Sequence, residues 1–314
     1  MRNVAPRFLT CADIHAAVDA HAVLTSQADA FRLAADPSVT SAQGHATSPD
    51  GYLLFLHGAR LPDGTTVFKS GVQGSTETIR ELEPVSASVT VHDAHDGRLT
   101  YVLDGPTVTA LRTAGGLLQC LLTLQHGSAE VLGVLGSGRQ ARELRRLAEE
   151  LGLWKRVLIW SPSLSAGANP HSIPPESIAR DAQDLCRRAD TIACCTASST
   201  PVLQADWLRE NATVGTMGSY MSDRCETGPD ITQIAAAVVT DAASAITSVG
   251  PLVEGFALDL LTPGDVELMA DILSADAAWS RPEGVVLVHC SGLGVQDATL
   301  GKAVVDSTMA RTYQ

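Results

Sequence analysis

The residues of this chain best suited to chemistry form the run Gly136-Ser137-Gly138-Arg139-Gln140-Ala141. It follows directly on the apolar run Val131-Leu132-Gly133-Val134-Leu135 and precedes a helical pattern over residues 142–151. A Gly-x-Gly-x-x-Ala turn between a strand and a helix suits a dinucleotide pyrophosphate. The first glycine permits the tight turn, the second lets the backbone approach the phosphates, and the alanine lets the helix pack closely on the strand. Free N–H groups at the helix start then receive the phosphate oxygens. Gly136, Ser137, Gly138, Arg139 and Gln140 are therefore candidate cofactor contacts. The plainer alternative is the same scaffold binding another nucleotide, or none.

Cofactor choice turns on the end of the next strand, which reads Ile159-Trp160-Ser161-Pro162-Ser163. An NAD site usually carries Asp or Glu there to accept from the ribose 2′-hydroxyl, and none is present. No arginine stands beside it to clamp a 2′-phosphate either. Serine hydroxyls can bind a phosphate, and a missing carboxylate removes repulsion against one. The reading is NADP or NAD, leaning to NADP, with Ser161 a candidate contact. Ser198, in the run Thr196-Ala197-Ser198-Ser199-Thr200 after a third strand, lies at a carboxyl end where α/β sheets bind ligands. His92-x-x-His95 with Asp93 and Asp96 has a metal-like spacing, but it sits at a hairpin end where Asp and His are ordinary turn residues. No metal is expected.

The elements that must hold these residues change character along the chain. Thr10 is a plausible N-cap for helical segments over 10–34, and residues 37–51 are rich in turn residues. Short β-like runs follow at 52–56, 66–69 and 87–91, and Asp96-Gly97 between apolar runs is a hairpin signal. From a helix over 106–124 onward, strands alternate with helices. The strand candidates are 130–135, 156–161, 191–196, 213–217, 237–240 and 285–288, the pattern of a parallel sheet with crossovers. Residues 161–175 read as a loop, and residues from 297 on as one helix. The expected fold class is α/β: a Rossmann-type parallel-sheet domain plus an α+β unit with an antiparallel sheet.

Composition bounds the rest. The 314 residues, 45% hydrophobic and 18% charged, are enough for about two domains with a sizeable core. A net charge of −13 disfavours nucleic acid and anionic lipid as partners. No apolar run approaches a membrane span, and Met1-Arg2-Asn3-Val4-Ala5-Pro6 has no signal-peptide core. Seven cysteines without a Cys-x-x-Cys read as reduced thiols of a cytoplasmic protein.

With those motifs in place, the chain resembles the ornithine cyclodeaminase/mu-crystallin family over about residues 10–310. The resemblance is carried by Phe68-Lys69-Ser70, by Leu103-Asp104-Gly105-Pro106-Thr107-Val108-Thr109-Ala110-Leu111-Arg112-Thr113-Ala114, and by the glycine turn. Gly218-Ser219-Tyr220 with Asp223 and Glu226, and Gly292-Leu293-Gly294-Val295-Gln296-Asp297, complete it. It implies a homodimer, with a substrate-binding and dimerisation domain over 1–122 to which a helix at 298–314 returns, and a Rossmann domain over 123–297. It also implies hydride exchange between nicotinamide and a carbon bearing nitrogen.

The resemblance makes Lys69 and Arg112 the catalytic candidates, holding a substrate carboxylate. A guanidinium fork suits a carboxylate bidentately, and a lysine among apolar residues needs an anionic partner and can pass a proton to nitrogen. Without the resemblance, Lys69 reads as an exposed strand lysine and Arg112 as half of a surface ion pair. Thr113 is implied as a phosphate contact. Asp297 is implied near cofactor or substrate, beside His289 and Cys290. An arginine frequent in the family upstream of the 52–56 strand falls near Gln43, with His45 close by, and a usual methionine becomes Leu56. Both changes suggest an altered substrate. Tyr220 stands where cyclodeaminases carry an aspartate base, and a phenol with its usual pKa near 10 is a poor substitute. The implied function is an NAD(P)-dependent imine reductase or amino-acid dehydrogenase acting on a carboxylate-bearing small molecule. The alternatives are a cyclodeaminase that recycles its NAD and a binding protein of the mu-crystallin kind.

Overall fold

The computed structural model describes residues 5–74, 85–167, 169, 173–275 and 279–312. They form two compact units, one from residues up to Arg112 together with those from Leu293 on, the other from Thr113 to Gly292.

The first unit is a six-stranded sheet with helices on one face. Thr10 caps α1 (Cys11–Ala17) through a reciprocal capping box with Asp13. Asp19 then caps α2 (Ala20–Ala34), its carboxylate accepting from the Ala22 amide at 2.8 Å. The helical segments expected over 10–34 are these two helices, parted at Val18, which is extended. The sheet runs in the order β1 (Arg7–Leu9), β6 (Leu99–Asp104), β5 (Val85–His92), β4 (Thr66–Gln73), β3 (Leu53–Arg60) and β2 (Thr40–Thr47). All neighbours are antiparallel except β1, which pairs parallel with β6. The turn-rich reading of 37–51 is corrected here, because most of that segment is β2. All eight of its residues are exposed, so the strand carries no apolar alternation to betray it. The Asp96-Gly97 turn does join β5 and β6, with Gly97 at φ 70°.

Period-2 alternation gives the sheet an inner face with Val67, Val89, Val91 and Leu103, all at most 2% exposed. The C-terminal helix α10 (Gly294–Thr312) packs on β3, β4, β5 and on α2, and buries Leu300 and Val304 there. Its start comes very close to β3. A Cβ on Gly294 would lie 2.8 Å from the Gly58 carbonyl oxygen, so only glycine allows the first turn of α10 to approach the strand.

In the second unit seven strands, all parallel, run in the order β12 (Val266–Leu268), β11 (Ala235–Thr240), β13 (Val285–His289), β10 (Thr213–Thr216), β9 (Thr191–Cys194), β7 (Val131–Leu135) and β8 (Arg156–Trp160). Their near-continuous apolar character follows from burial on both faces. The crossovers include α4 (Arg139–Leu151), α6 (Ala182–Arg188), α7 (Pro229–Ile234), α8 (Gly250–Ala257) and α9 (Met269–Ser274). Helix α3 (Gly105–Leu124) runs from the first unit into the second, where Leu117 and Leu121 pack on Gly215 of β10. The six expected strands are present with shifted ends; β12, three residues at an edge, was not expected. The 161–175 segment holds a short helix, α5 (Pro162–Ser165), rather than loop alone, because Ser161 caps it and Pro162 begins it. The strand order reverses between β7 and β9, and α/β sheets bind ligands beyond the carboxyl ends at such a point.

Candidate active site

In the first unit, three charged side chains from distant parts of the chain meet under the sheet. Lys69 projects from the inner face of β4, Arg112 from α3, and Asp297 from the first turn of α10. There the helix macrodipole also favours an acid. The Lys69 ammonium lies 2.8 Å from Asp297 Oδ2 and donates to Oδ1 at 3.0 Å. Arg112 Nε lies 3.3 Å from Oδ1. Those side chains are 3%, 10% and 1% exposed, so the cluster is almost dry. Burial would raise the Asp297 carboxyl, but the Lys69 and Arg112 charges outweigh it and hold it below the ordinary carboxylate range. Burial, then the Arg112 charge, pushes Lys69 down to about 8 despite its bond to Asp297.

Two cations against one anion leave the cluster with one net positive charge. The Arg112 contact with Asp297 is electrostatic only, since Nε finds no hydrogen-bond partner in the protein. Among the described residues, no protein group accepts a hydrogen bond from the Arg112 fork. A buried guanidinium with unclaimed donors beside a lysine suits a carboxylate in both charge and shape.

The strand register carries the site outward along one row. Lys69 pairs with His57 of β3, and His57 with Gln43 of β2. The row therefore reads Gln43, His57, Lys69, Val89, Leu103 across the inner face. His57 is half-buried and touches the Phe55 ring edge-on at 5.7 Å between centroids. Burial, followed by the Lys69 and Arg112 charges, lowers its pKa to about 4, so the imidazole is neutral. Neither ring nitrogen has a protein hydrogen-bond partner among the described residues.

The second unit carries a cradle fit for a dinucleotide. Gly136 has φ 119°, and a Cβ there would fall 2.4 Å from the Cys195 carbonyl oxygen. That contact ties the turn after β7 to the segment after β9, across the switch point. At Gly138, the N-cap of α4, a Cβ would meet nothing within 4 Å, leaving open space of the kind a pyrophosphate needs above a helix start. Ser137, Ser161 and Ser163 form a triangle of hydroxyls with sides of 2.9, 3.0 and 3.0 Å at the end of β8. The Gln140 Oε1 and Thr113 Oγ1 atoms are buried without a protein hydrogen-bond partner, so both retain capacity for a further bond.

A family model described as the ornithine cyclodeaminase/mu-crystallin family matches residues 5–312, almost the whole chain. The chain belongs to that family. Among curated relatives, an iminosuccinate reductase of Paracoccus denitrificans is 25% identical over 276 residues, covering 86% of this chain and 84% of the relative. Ketimine reductase mu-crystallin of Mus musculus is 25% identical over 223 residues, covering 70% and 69%. Among solved structures, Delta(1)-pyrroline-2-carboxylate reductase of Thermococcus litoralis, in complex with NADH and L-proline, superposes with a TM-score of 0.87. It is 17% identical, with 98% of each chain covered, a likeness of fold.

For a member of the ornithine cyclodeaminase/mu-crystallin family, the structure rearranges several sequence-level expectations. Asp297, grouped with the cofactor contacts, is the buried counter-ion of Lys69 and Arg112. Leu56 lies on the outer face of the sheet, opposite to Lys69, and is 40% exposed; the residue facing Lys69 is its neighbour His57. The Ser198 hydroxyl is engaged by the Thr200 carbonyl at 2.6 Å, which shapes its own loop. Asp223 is exposed in a turn. His289 is buried against Thr216, with Nδ1 2.9 Å from its hydroxyl, and burial pushes its pKa to about 4. His92 and His95 serve the β5–β6 turn, and among the described residues no group of three His, Cys, Asp or Glu could hold a metal.

Glu226, noted in sequence only as part of a motif, is fully buried and joins the ends of β9 and β10. It accepts from the Thr196 amide at 2.6 Å, the Thr196 hydroxyl at 2.8 Å and the Gly218 amide at 2.7 Å. Burial raises its pKa against those bonds. Asp241 likewise accepts from the Ser291 and Gly292 amides after β13, the latter at 2.7 Å.

Proposed function

We propose that this protein is an NAD(P)-dependent oxidoreductase that reduces the C=N bond of a ketimine carboxylate, or oxidises the corresponding amino acid. The observation that carries the reading is the net-positive Lys69–Asp297–Arg112 cluster with its unclaimed guanidinium fork. The relatives named as iminosuccinate and ketimine reductases support it, as does the dinucleotide cradle of the second unit. The chemistry such a cofactor supplies when bound is hydride at the imine carbon, R–C(=NH)–COO⁻ + NAD(P)H + H⁺ giving R–CH(NH₂)–COO⁻ + NAD(P)⁺. Gly136, Ser137, Gly138, Arg139, Gln140, Thr113 and Ser161 would hold it.

Arg112 and Lys69 bind and orient the substrate carboxylate, and this positioning accounts for much of the rate. Asp297 keeps the two cations buried together. Lys69 supplies the proton to the imine nitrogen. With its pKa near 8 it is charged at neutral pH, yet it releases a proton far more readily than an ordinary lysine. Tyr220 stands where the resemblance implies an aspartate in cyclodeaminases, which favours reduction over cyclodeamination.

The same proposal includes a cytoplasmic homodimer. Its support is an apolar outer face of the first sheet, where Phe8, Leu54, Leu56 and Val72 are 62%, 47%, 40% and 41% exposed. No disulfide joins the cysteines of the described residues, in keeping with a reducing compartment.

Absorbance at 340 nm with NADPH and NADH against ketimine carboxylates tests the activity. Stoichiometric cofactor consumption, lost in Lys69→Ala while that variant still binds cofactor, is the expected result. Near-normal turnover in Lys69→Ala, or ammonia release from diamino acids without net cofactor consumption, overturns it.

A further inference from the structure

Lys69 has a filled side and an open side. Along its row the inward neighbours, Val89 and Leu103, are both 0% exposed and leave no room for a ligand. Asp297 and Arg112 take up the space toward α10 and α3. Outward, toward the sheet edge, stand His57 and then Gln43, with His45 on the next row of the same face opposite Phe55. Gln43 and His45 are exposed, and His57 is half-buried with both ring nitrogens free of protein partners. A substrate whose carboxylate meets Lys69 and Arg112 and that extends toward the sheet edge passes over the His57 and His45 imidazoles, the Gln43 amide and the Phe55 ring.

Charge decides what its far end carries. The cluster holds one net positive charge, which a single carboxylate cancels. A distal ammonium would add a cation beside Lys69 and Arg112 and two histidines, and is disfavoured. A distal carboxylate would leave one net negative charge in a half-buried site unless a proton came with it. His57 is the group placed to take that proton. The charged and titratable groups that face it are Lys69 on β4, Arg112 on α3, Asp297 on α10 and His45 on β2.

We propose that His57, flanked by Gln43 and His45, is a specificity-determining residue that receives a second, distal carboxylate, so that the preferred substrate is an open-chain ketimine dicarboxylate. The inference rests on the ketimine-reductase reading above and names its substrate class. On binding, the distal carboxylate draws a proton onto the imidazole, which then donates to it. A monocarboxylate leaves His57 neutral.

The test compares kcat/KM for oxaloacetate plus ammonia with that for pyruvate plus ammonia, using NADPH and NADH. Δ1-pyrroline-2-carboxylate serves as a cyclic monocarboxylate. The wild-type ratio of dicarboxylic to monocarboxylic substrate is expected to exceed ten and to fall as pH rises from 5.5 to 8. These values are on the order of what one charge-assisted hydrogen bond supplies. His57→Phe is expected to lower the ratio at least tenfold, chiefly through KM. His57→Gln, which keeps a donor but cannot titrate, should recover part of the ratio and abolish its pH dependence. A wild-type ratio of one or less, turnover of the cyclic substrate alone, or equal losses on both substrates in His57→Phe would overturn the inference and leave the ketimine-reductase reading standing. No turnover of any of the three substrates would overturn both.

Discussion

Asp297 receives Lys69 across 228 residues of sequence, with 2.8 Å between the ammonium and Oδ2 and only 1% of the carboxylate side chain exposed. This pair fixes the first turn of α10 to the middle of β4. Replacing Asp297 by the nearly isosteric Asn keeps the shape and deletes the anion, so two cations remain buried without a counter-charge. Asp297→Asn should lose about 3 kcal/mol of stability at pH 7, the order found when one partner of a buried pair is removed. The loss should shrink as pH is raised and Lys69 sheds its proton. Urea unfolding at pH 7 and 9 reads both effects. An unchanged midpoint at pH 7 would show that the pair does not hold the helix.

The two glycines of the nucleotide turn should respond differently to a single methyl group. At Gly136, φ is 119° and the Cys195 carbonyl leaves no room, so Gly136→Ala should destabilise the second unit. At Gly138 the backbone already suits alanine, with φ −69° and ψ −176°, and a Cβ meets nothing. Gly138→Ala should therefore melt like the parent yet bind NADPH and NADH at least tenfold more weakly, because the methyl occupies the approach of the phosphates. Calorimetric melting paired with fluorescence titration separates the two. Full cofactor affinity in Gly138→Ala would mean that this turn is not the cradle.

Much of the second unit was legible because its signals are local. Val131–Leu135, Val285–His289 and their neighbours are continuous apolar runs, and the glycine turn follows its strand directly. β2 escaped notice for the opposite reason: an edge strand with every residue exposed has no apolar period to read. Lys69, Arg112 and Asp297 each stand in a motif, but nothing local links residues 69 and 297, so their union in one buried cluster is not legible in the sequence. His57 is hidden in the sequence because the apolar run ends at Leu56. Extending the strand by one residue puts a histidine on the Lys69 face, a signal that alternation alone could have supplied.

The buried histidine of the second unit makes an acid limb of stability. His289 is 1% exposed, and burial lowers its pKa from 6.5 to about 4. Between those values the unfolded chain holds a proton that the folded chain does not, so stability falls as pH drops from 6.5 toward 4 and levels off below. One such group gives a slope of at most about 1.4 kcal/mol per pH unit. His289→Gln should flatten part of this limb while lowering stability at pH 7, through the altered bond to Thr216. Unfolding free energies measured from pH 4 to 7.5 check it. The same slope in parent and variant would place the acid sensitivity elsewhere.

Lys69 should set the alkaline limb of activity, and its sign depends on the direction of reaction. Reduction needs the ammonium, both to hold the carboxylate and to protonate nitrogen, so kcat/KM should fall above about pH 8 and approach a tenfold loss per unit. Oxidation needs the neutral amine to accept the proton, and kcat/KM for the amino acid should rise through the same pH, provided the substrate is held by Arg112. Lys69→Arg separates binding from proton transfer. Its guanidinium keeps a charge at every accessible pH, so the carboxylate is still held, but it cannot exchange a proton. The variant should keep measurable substrate affinity, turn over at least a hundredfold more slowly, and lose the break near pH 8 in both directions. A break that survives in Lys69→Arg belongs to another group, and the proton would then have to come from elsewhere in the site.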